Sequence, residues 1–196
     1  MIQRLVGSEM CIRDRIYPDA GFINDKKDNL LGIILTHAHE DHIGAVVYVW
    51  PKLKCQIYAT PFTAALLIEK FKEKKIDITN YLKIVELGGK INLSPFKIEF
   101  VTLTHSIAEP NGLKIDTPSG TIFHTGDWKY DPDPLVGDKI NSSRLKEIGE
   151  EGVMAMICDS TNVFSIGRSG SEADVRKSLI DIIEKQKKLS LIHISE

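Results

Sequence analysis

The sequence predicts a layered α/β fold. Short apolar runs of strand length alternate with stretches of helical periodicity. One of those strand-like runs ends abruptly in a cluster of histidines and acids, as happens where open α/β layers place a site at a strand's carboxyl end. The 196 residues, 42% apolar and 27% charged, suffice for one sizeable core and a partial second domain.

The elements follow in order. Leu30-Leu31-Gly32-Ile33-Ile34-Leu35 predicts a buried strand over 31–35. A helix then starts at Ile43 and runs to Trp50, where Pro51 closes it. Residues 55–59 read as a strand. Thr60-Pro61 supplies an N-cap and a proline at the first helical position, and this helix runs to about Lys74 with Phe62, Leu66, Leu67 and Phe71 on its apolar face. Phe96-Lys97-Ile98-Glu99-Phe100 alternates with a period of two. Residues 113–116 and 121–124 form a hairpin around Pro118-Ser119-Gly120, and 153–158 is a buried strand. Ser169 and Ser171 each stand three residues before an acid, Glu172 and Asp174, which is capping-box spacing. The helix behind them carries Val175, Leu179, Ile182 and Ile183 on one face.

Composition narrows the function classes. The net charge of −2 argues against bulk electrostatic binding of nucleic acid, though not against a local basic groove. Cys11, Cys55 and Cys158 are widely spaced with no CxxC, a pattern of reduced thiols in a cytoplasmic protein. No apolar run approaches the roughly 20 residues that cross a bilayer, and no signal peptide is evident. Both ends, residues 1–15 and 189–196, resemble translated sequencing-adapter DNA. They are expected to be artefactual tails, the natural protein being longer on both sides.

The chemistry concentrates in Thr36-His37-Ala38-His39-Glu40-Asp41-His42-Ile43-Gly44, with three histidines and an aspartate within six positions. Imidazole nitrogen suits a borderline metal such as zinc, and carboxylate adds a hard, charged oxygen. In a loop, His37 and His39 can converge on one metal while Asp41 and His42 turn toward a second. The one-turn histidine spacing of the helical zinc-protease motif is absent. His105, after Thr102-Leu103-Thr104, and Asp127, in Thr125-Gly126-Asp127, also follow strands. His124, inside a strand, reads as packed or hydrogen-bonded. Asp19 reads as a turn residue, Glu40 as solvent-facing or next to the ligands, and the lysines after Phe71 as a solvated helix end.

His37-x-His39-x-Asp41-His42, then His105, then Thr125-Gly126-Asp127 resemble the metallo-β-lactamase-fold hydrolases, in that order, over residues 36–127. The resemblance implies an αββα sandwich, incomplete here. By position, His37, His39 and His105 would hold a first metal, Asp41 and His42 a second, and Asp127 would bridge them. Finer features are similar to the ribonuclease J family: Pro18-Asp19-x-x-Phe22, His105-Ser106-Ile107, His124-Thr125-Gly126-Asp127-Trp128-Lys129-Tyr130-Asp131 and Asp159-Ser160-Thr161-Asn162. Ala108 and Glu109 depart from that family's usual sequence. Members carry a β-CASP domain inserted in the metallo-β-lactamase fold and cut RNA. Asp159 falls at the first acidic motif of that subgroup.

The resemblance implies a partial metallo-β-lactamase core over 16–165, with 166–188 leading into the inserted domain. It implies two divalent ions, zinc or manganese, that activate a hydroxide to attack an RNA phosphodiester. Asp41, Asp127 and Asp159 would be the catalytic carboxylates, and Ser160 and Thr161 would hold a substrate phosphate. The family's later histidine for the second metal is missing from this chain, so the chain alone is expected to be a poor nuclease or none. The parent is expected to be cytoplasmic and to form homo-oligomers through regions absent here. The fold itself hosts other chemistries, so hydrolysis of a thioester or lactone, or a non-catalytic metal- or RNA-binding role, stays open.

Overall fold

The computed structural model describes residue 17 and residues 19–185; both expected tails, Cys11 and Pro18 lie outside the described residues. Two sheets stack face to face. Strands β1 (Ile33–Ile34), β2 (Ile57–Ala59) and β3 (Leu82–Ile84) form a parallel sheet in that order. Strands β4 (Lys90–Leu93), β5 (Phe96–Thr102), β6 (Asn111–Thr117), β7 (Gly120–His124) and β8 (Ala155–Ile157) form the second, antiparallel except that β8 runs parallel to β7.

Side-chain alternation sorts three cores. Leu35, Ile57 and Ala59 point outward from the first sheet and meet helices α3 (Val46–Leu53) and α4 (Pro61–Glu73) through Val47, Trp50, Leu67 and Phe71. Ile34 and Tyr58, on the opposite face, pack on Ile98, Phe100, Leu113 and Ile91 of the second sheet. The outer face of that sheet presents Val101 and Phe123 to Leu145 and Ile148 of α5 (Ser142–Glu151). The layer order is therefore helix, sheet, sheet, helix, the expected αββα sandwich. Two short helices, α1 (Gly21–Asp25) and α2 (Glu40–Ile43), a single 3-10 turn over Lys27–Asn29 and the terminal α6 (Glu172–Lys185) complete the described elements.

Several expectations are corrected. The helix expected over 43–50 is two pieces, α2 and α3, broken at Gly44-Ala45, and Pro51 lies inside α3 rather than closing it. Pro51 sits in the last turn, and the chain turns at Lys54, whose φ is 48° and whose N–H reaches Trp50 O. The buried Trp50 fixes this end by donating Nε1–H to Cys55 O at 2.8 Å.

Thr60 occupies the N-cap position of α4, but its hydroxyl donates to Thr63 Oγ1. The Phe62 N–H is instead taken by Glu109, at 2.8 Å and from 47 residues away. Leu66 points off the apolar face, and Thr63 and Ala64 are buried in its stead. The strand expected to be buried over 153–158 is β8, and all three of its residues are exposed. It lies at a sheet edge, where apolar content alone does not bring burial.

The hairpin forms as expected, with Thr117 paired to Gly120. The second capping pair is the one used: Asp174 N–H reaches Ser171 Oγ, and Asp174 Oδ2 accepts from the Ser171 hydroxyl and amide. The apolar face of α6 stays exposed in the described chain. Cys55 and Cys158 are free thiols. No described helix is long and apolar enough to cross a membrane.

Candidate metal centre

Both sheets deliver side chains to one spot. The loop leaving β1 brings His37, His39 and, as α2 begins, Asp41 and His42. The loops after β5 and β7 bring His105 and Asp127. The seam is tied by Asn111 at the start of β6. Its N–H reaches Thr36 O at 3.0 Å, and its Nδ2 donates to Glu109 O at 2.7 Å. Gly126 packs against the same point with φ 59°, and a Cβ there would lie 3.2 Å from Asn111 O and from Thr36 Oγ1.

Ring nitrogens of His37, His39 and His105 fall within 4.8 Å of one another, as do ligating atoms of His37, His42 and Asp127. His37 Nε2 is 3.2 Å from His39 Nδ1, which is 3.0 Å from His105 Nε2. Around a zinc-like ion at about 2.0–2.1 Å from each nitrogen, tetrahedral neighbours stand about 3.4 Å apart, so this triad is close to a ligand shell. The donor chemistry agrees. His39 Nδ1 faces two other ring nitrogens and can offer a hydrogen to only one, whereas a cation among them satisfies all three. His37 Nδ1 lies 3.1 Å from Thr36 Oγ1, an arrangement that leaves Nε2 as the free base when Nδ1 carries the proton.

The rings are held in the unprotonated form that binds a cation. The fully buried His37 has its pKa pushed from 6.5 down to about 4, first by desolvation and then by His42, His105 and His39, with Asp127 opposing. His105 is likewise lowered, by burial first and by His39, against Asp127 and Asp159. Neutral imidazoles are the ligating form.

Asp127 Oδ2 is 3.2 Å from His42 Nε2 and 3.9 Å from His105 Nε2, so it lies between the two donor groups. Asp41 is at the rim: its side chain is 76% exposed, and Oδ2 is 3.6 Å from His42 Nε2. Asp159 is half-buried; its amide donates to Thr125 Oγ1. Oδ1 of Asp159 accepts both the amide and the hydroxyl of Thr161, which hold its carboxyl below the usual range. Both polar hydrogens of Thr161 are thus directed at Asp159, and Ser160 beside it is exposed. His124 Nδ1 accepts the Gly126 N–H at 2.8 Å, the hydrogen-bonded role expected of it. Glu40 is exposed and pairs with Lys70 of α4. Asp19 forms the expected turn, accepting Gly21 N–H.

The sequence reading missed the residues that aim the ligands: Thr36, Asn111 and Thr125. Thr36 and Thr125 stand within the motifs themselves, and that adjacency was the available signal. Asn111 carries no local signal, because its partner Thr36 is 75 residues away.

A family model described as a beta-lactamase superfamily domain matches residues 16–145. The chain belongs to that superfamily. Its relatives narrow the comparison to ribonuclease J. Ribonuclease J of Sinorhizobium meliloti is 46% identical over 179 residues, covering 90% of this chain and 31% of the relative. Ribonuclease J of Helicobacter pylori (strain ATCC 700392 / 26695) is 41% identical over 163 residues, covering 83% and 24%. Ribonuclease J2 of Bacillus subtilis is 32% identical over 176 residues, covering 90% and 32%. The chain thus spans 24–32% of the length of these curated relatives. A solved protein of unknown function from Enterococcus faecalis V583 shares the fold, with a TM-score of 0.55 at 19% identity, over 77% of this chain and 38% of that one.

Proposed function

We propose that this chain is the metal-bearing domain of a ribonuclease J-like enzyme that hydrolyses RNA phosphodiesters with two divalent ions, zinc or manganese. The position of Asp127 carries the reading, since one carboxylate oxygen reaches toward both donor groups. In this reading His37, His39 and His105 hold the first ion, Asp41 and His42 the second, and Asp127 both. When bound, such ions lower the pKa of a water to about 7 and offset charge gathering on a phosphate.

The chain's own residues supply the rest. Asp41, at the open rim, orients the attacking water by hydrogen bonding. Asp159, kept ionised by Thr161, sets a negative charge near His105 that partly offsets the lowering of its pKa by burial. Ser160, exposed beside Asp159, offers a hydroxyl to a substrate phosphate. The first donor set is three imidazoles, whereas the second has one imidazole of its own, His42, beside the shared Asp127 and the exposed Asp41. The isolated chain therefore binds one ion more tightly than the other and is a poor nuclease. We place the parent enzyme in the cytoplasm, with 166–188 leading into a β-CASP insertion and with subunits pairing elsewhere.

The test incubates stoichiometric protein, loaded with zinc or manganese, with 5′-labelled RNA, a thioester and a lactone. Slow, metal-dependent RNA cleavage that disappears in Asp127→Ala is the expected outcome. Hydrolysis of the thioester or lactone without RNA cleavage overturns the substrate. Rapid multiple turnover on RNA overturns the weak second site.

A further inference from the structure

Asp131 is a carboxylate with no exposed side-chain surface, and it lies outside the donor groups. A buried charge persists only when its oxygens are satisfied. Asp131 Oδ1 accepts the Asp133 N–H at 2.9 Å, and Oδ2 accepts the Glu172 N–H, the first amide of α6, at 2.8 Å. Lys129 Nζ stands 3.1 Å from the same Oδ2. The contact is reciprocated: Glu172 Oε2 accepts the Leu135 N–H at 2.9 Å. Two acids thus clip the start of α6 to the loop over 129–135.

That loop is also strapped to the neighbour of a metal-binding residue. The Lys129 N–H reaches Thr104 O at 2.9 Å, the Thr104 hydroxyl donates to Lys129 O, and the Asp131 N–H reaches Thr104 Oγ1 at 3.1 Å. Thr104 is buried and directly precedes His105, and the strap begins two residues after Asp127. A displacement of Asp131 therefore reaches Thr104 through these hydrogen bonds, and from Thr104 and Lys129 it is one residue along the chain to His105 and two to Asp127.

We propose that Asp131 is a positioning residue: its buried carboxylate locks helix α6 to the strap around Thr104 and thereby fixes the spacing of His105 against Asp127. The proposal rests on the reading of those residues as metal ligands. It makes the Asp131 anchor between α6 and the strap, and not the stability of the helix itself, a determinant of metal affinity, although α6 itself contributes no ligand.

The test is cobalt(II) binding to the full chain, followed by visible absorption, with thermal melts of the metal-free protein alongside. Asp131→Asn, which loses the ion pair with Lys129 and one acceptor, is expected to raise the cobalt Kd about tenfold and to alter the d–d bands. Thr104→Val, which removes the hydroxyl that receives the Asp131 amide and donates to Lys129 O, gives the same change in smaller measure. Ser171→Ala weakens the cap of α6 without touching the strap, so it lowers Tm but leaves Kd and bands as in the wild type. Wild-type Kd and bands in Asp131→Asn or Thr104→Val overturn the proposal. Equal weakening in Ser171→Ala overturns it as well, since loosening of the helix would then be enough. Failure of the wild type to bind cobalt at all sinks the metal-site reading instead.

Discussion

Removing the metal should leave a protein that is sensitive to mild acid, and His37 should be the main reason. Its ring is fully buried, and its pKa falls from 6.5 to about 4. The unfolded chain therefore takes up a proton that the folded chain refuses. This difference costs nothing above about pH 6.5 and becomes a growing destabilisation as the pH drops toward 4, so stability is lost in that window. With about 1.36 kcal/mol per tenfold difference in proton affinity, the loss between about pH 7.5 and pH 5 comes to about 2 kcal/mol. For a domain of this size that corresponds to a fall of roughly 4–8 °C in Tm. The assay is thermal melting by circular dichroism in excess chelator across that range, comparing wild type with His37→Gln. The variant is less stable at neutral pH, because it loses ring packing, but its Tm falls less steeply with acid. Parallel curves for the two proteins between pH 7.5 and pH 5 would refute the argument that burial holds this imidazole neutral.

Three further outcomes follow from the same structure. Zinc at about one hundred times its Kd should stabilise the wild type by about 2.7 kcal/mol in differential scanning calorimetry, and His105→Ala should remove most of that gain. Gly126→Ala forces a Cβ to 3.2 Å from Asn111 O at a φ of 59°, so it should cost about 1–3 kcal/mol in urea unfolding and weaken zinc binding as well. Phe71→Ala empties a fully buried position against Trp50, 5.5 Å away ring to ring, and should cost about 3–5 kcal/mol in the same measurement while leaving the zinc Kd of the folded protein unchanged.

The sequence made the parts of this protein with local causes easy to read. The alternation of Phe96 to Phe100 and the Pro118-Ser119-Gly120 turn each depend on neighbours in the chain, and the structure keeps them. Ser171 with Asp174 is equally local. What escaped depends on contacts made across the fold. Glu109 reaches the Phe62 amide from 47 residues away. Helix α5, with Ile148 its one fully buried residue, is also tied by Arg144, whose guanidinium binds both oxygens of Glu99, 45 residues away, at 2.7 and 2.9 Å. Val153 to Cys158 reads as a core strand because of its apolar content, whereas exposure depends on its place at a sheet edge. The histidines and Asp127 stood out because their residue types and spacing are unusual. Their exact aim, set by Thr36 and by Asn111, was not visible until the two sheets were brought together.

That meeting of sheets has a thermodynamic side. The ligands on the β1 loop belong to one sheet, and His105 and Asp127 belong to the other. An ion held by both acts as a clasp across the sandwich. By linkage, whatever pulls the layers apart must loosen the ion, and whatever binds the ion must resist their separation by the same free energy. A nascent chain that has closed only its first sheet would own three of the histidines yet hold metal poorly, so capture of the ion marks the moment at which the halves dock.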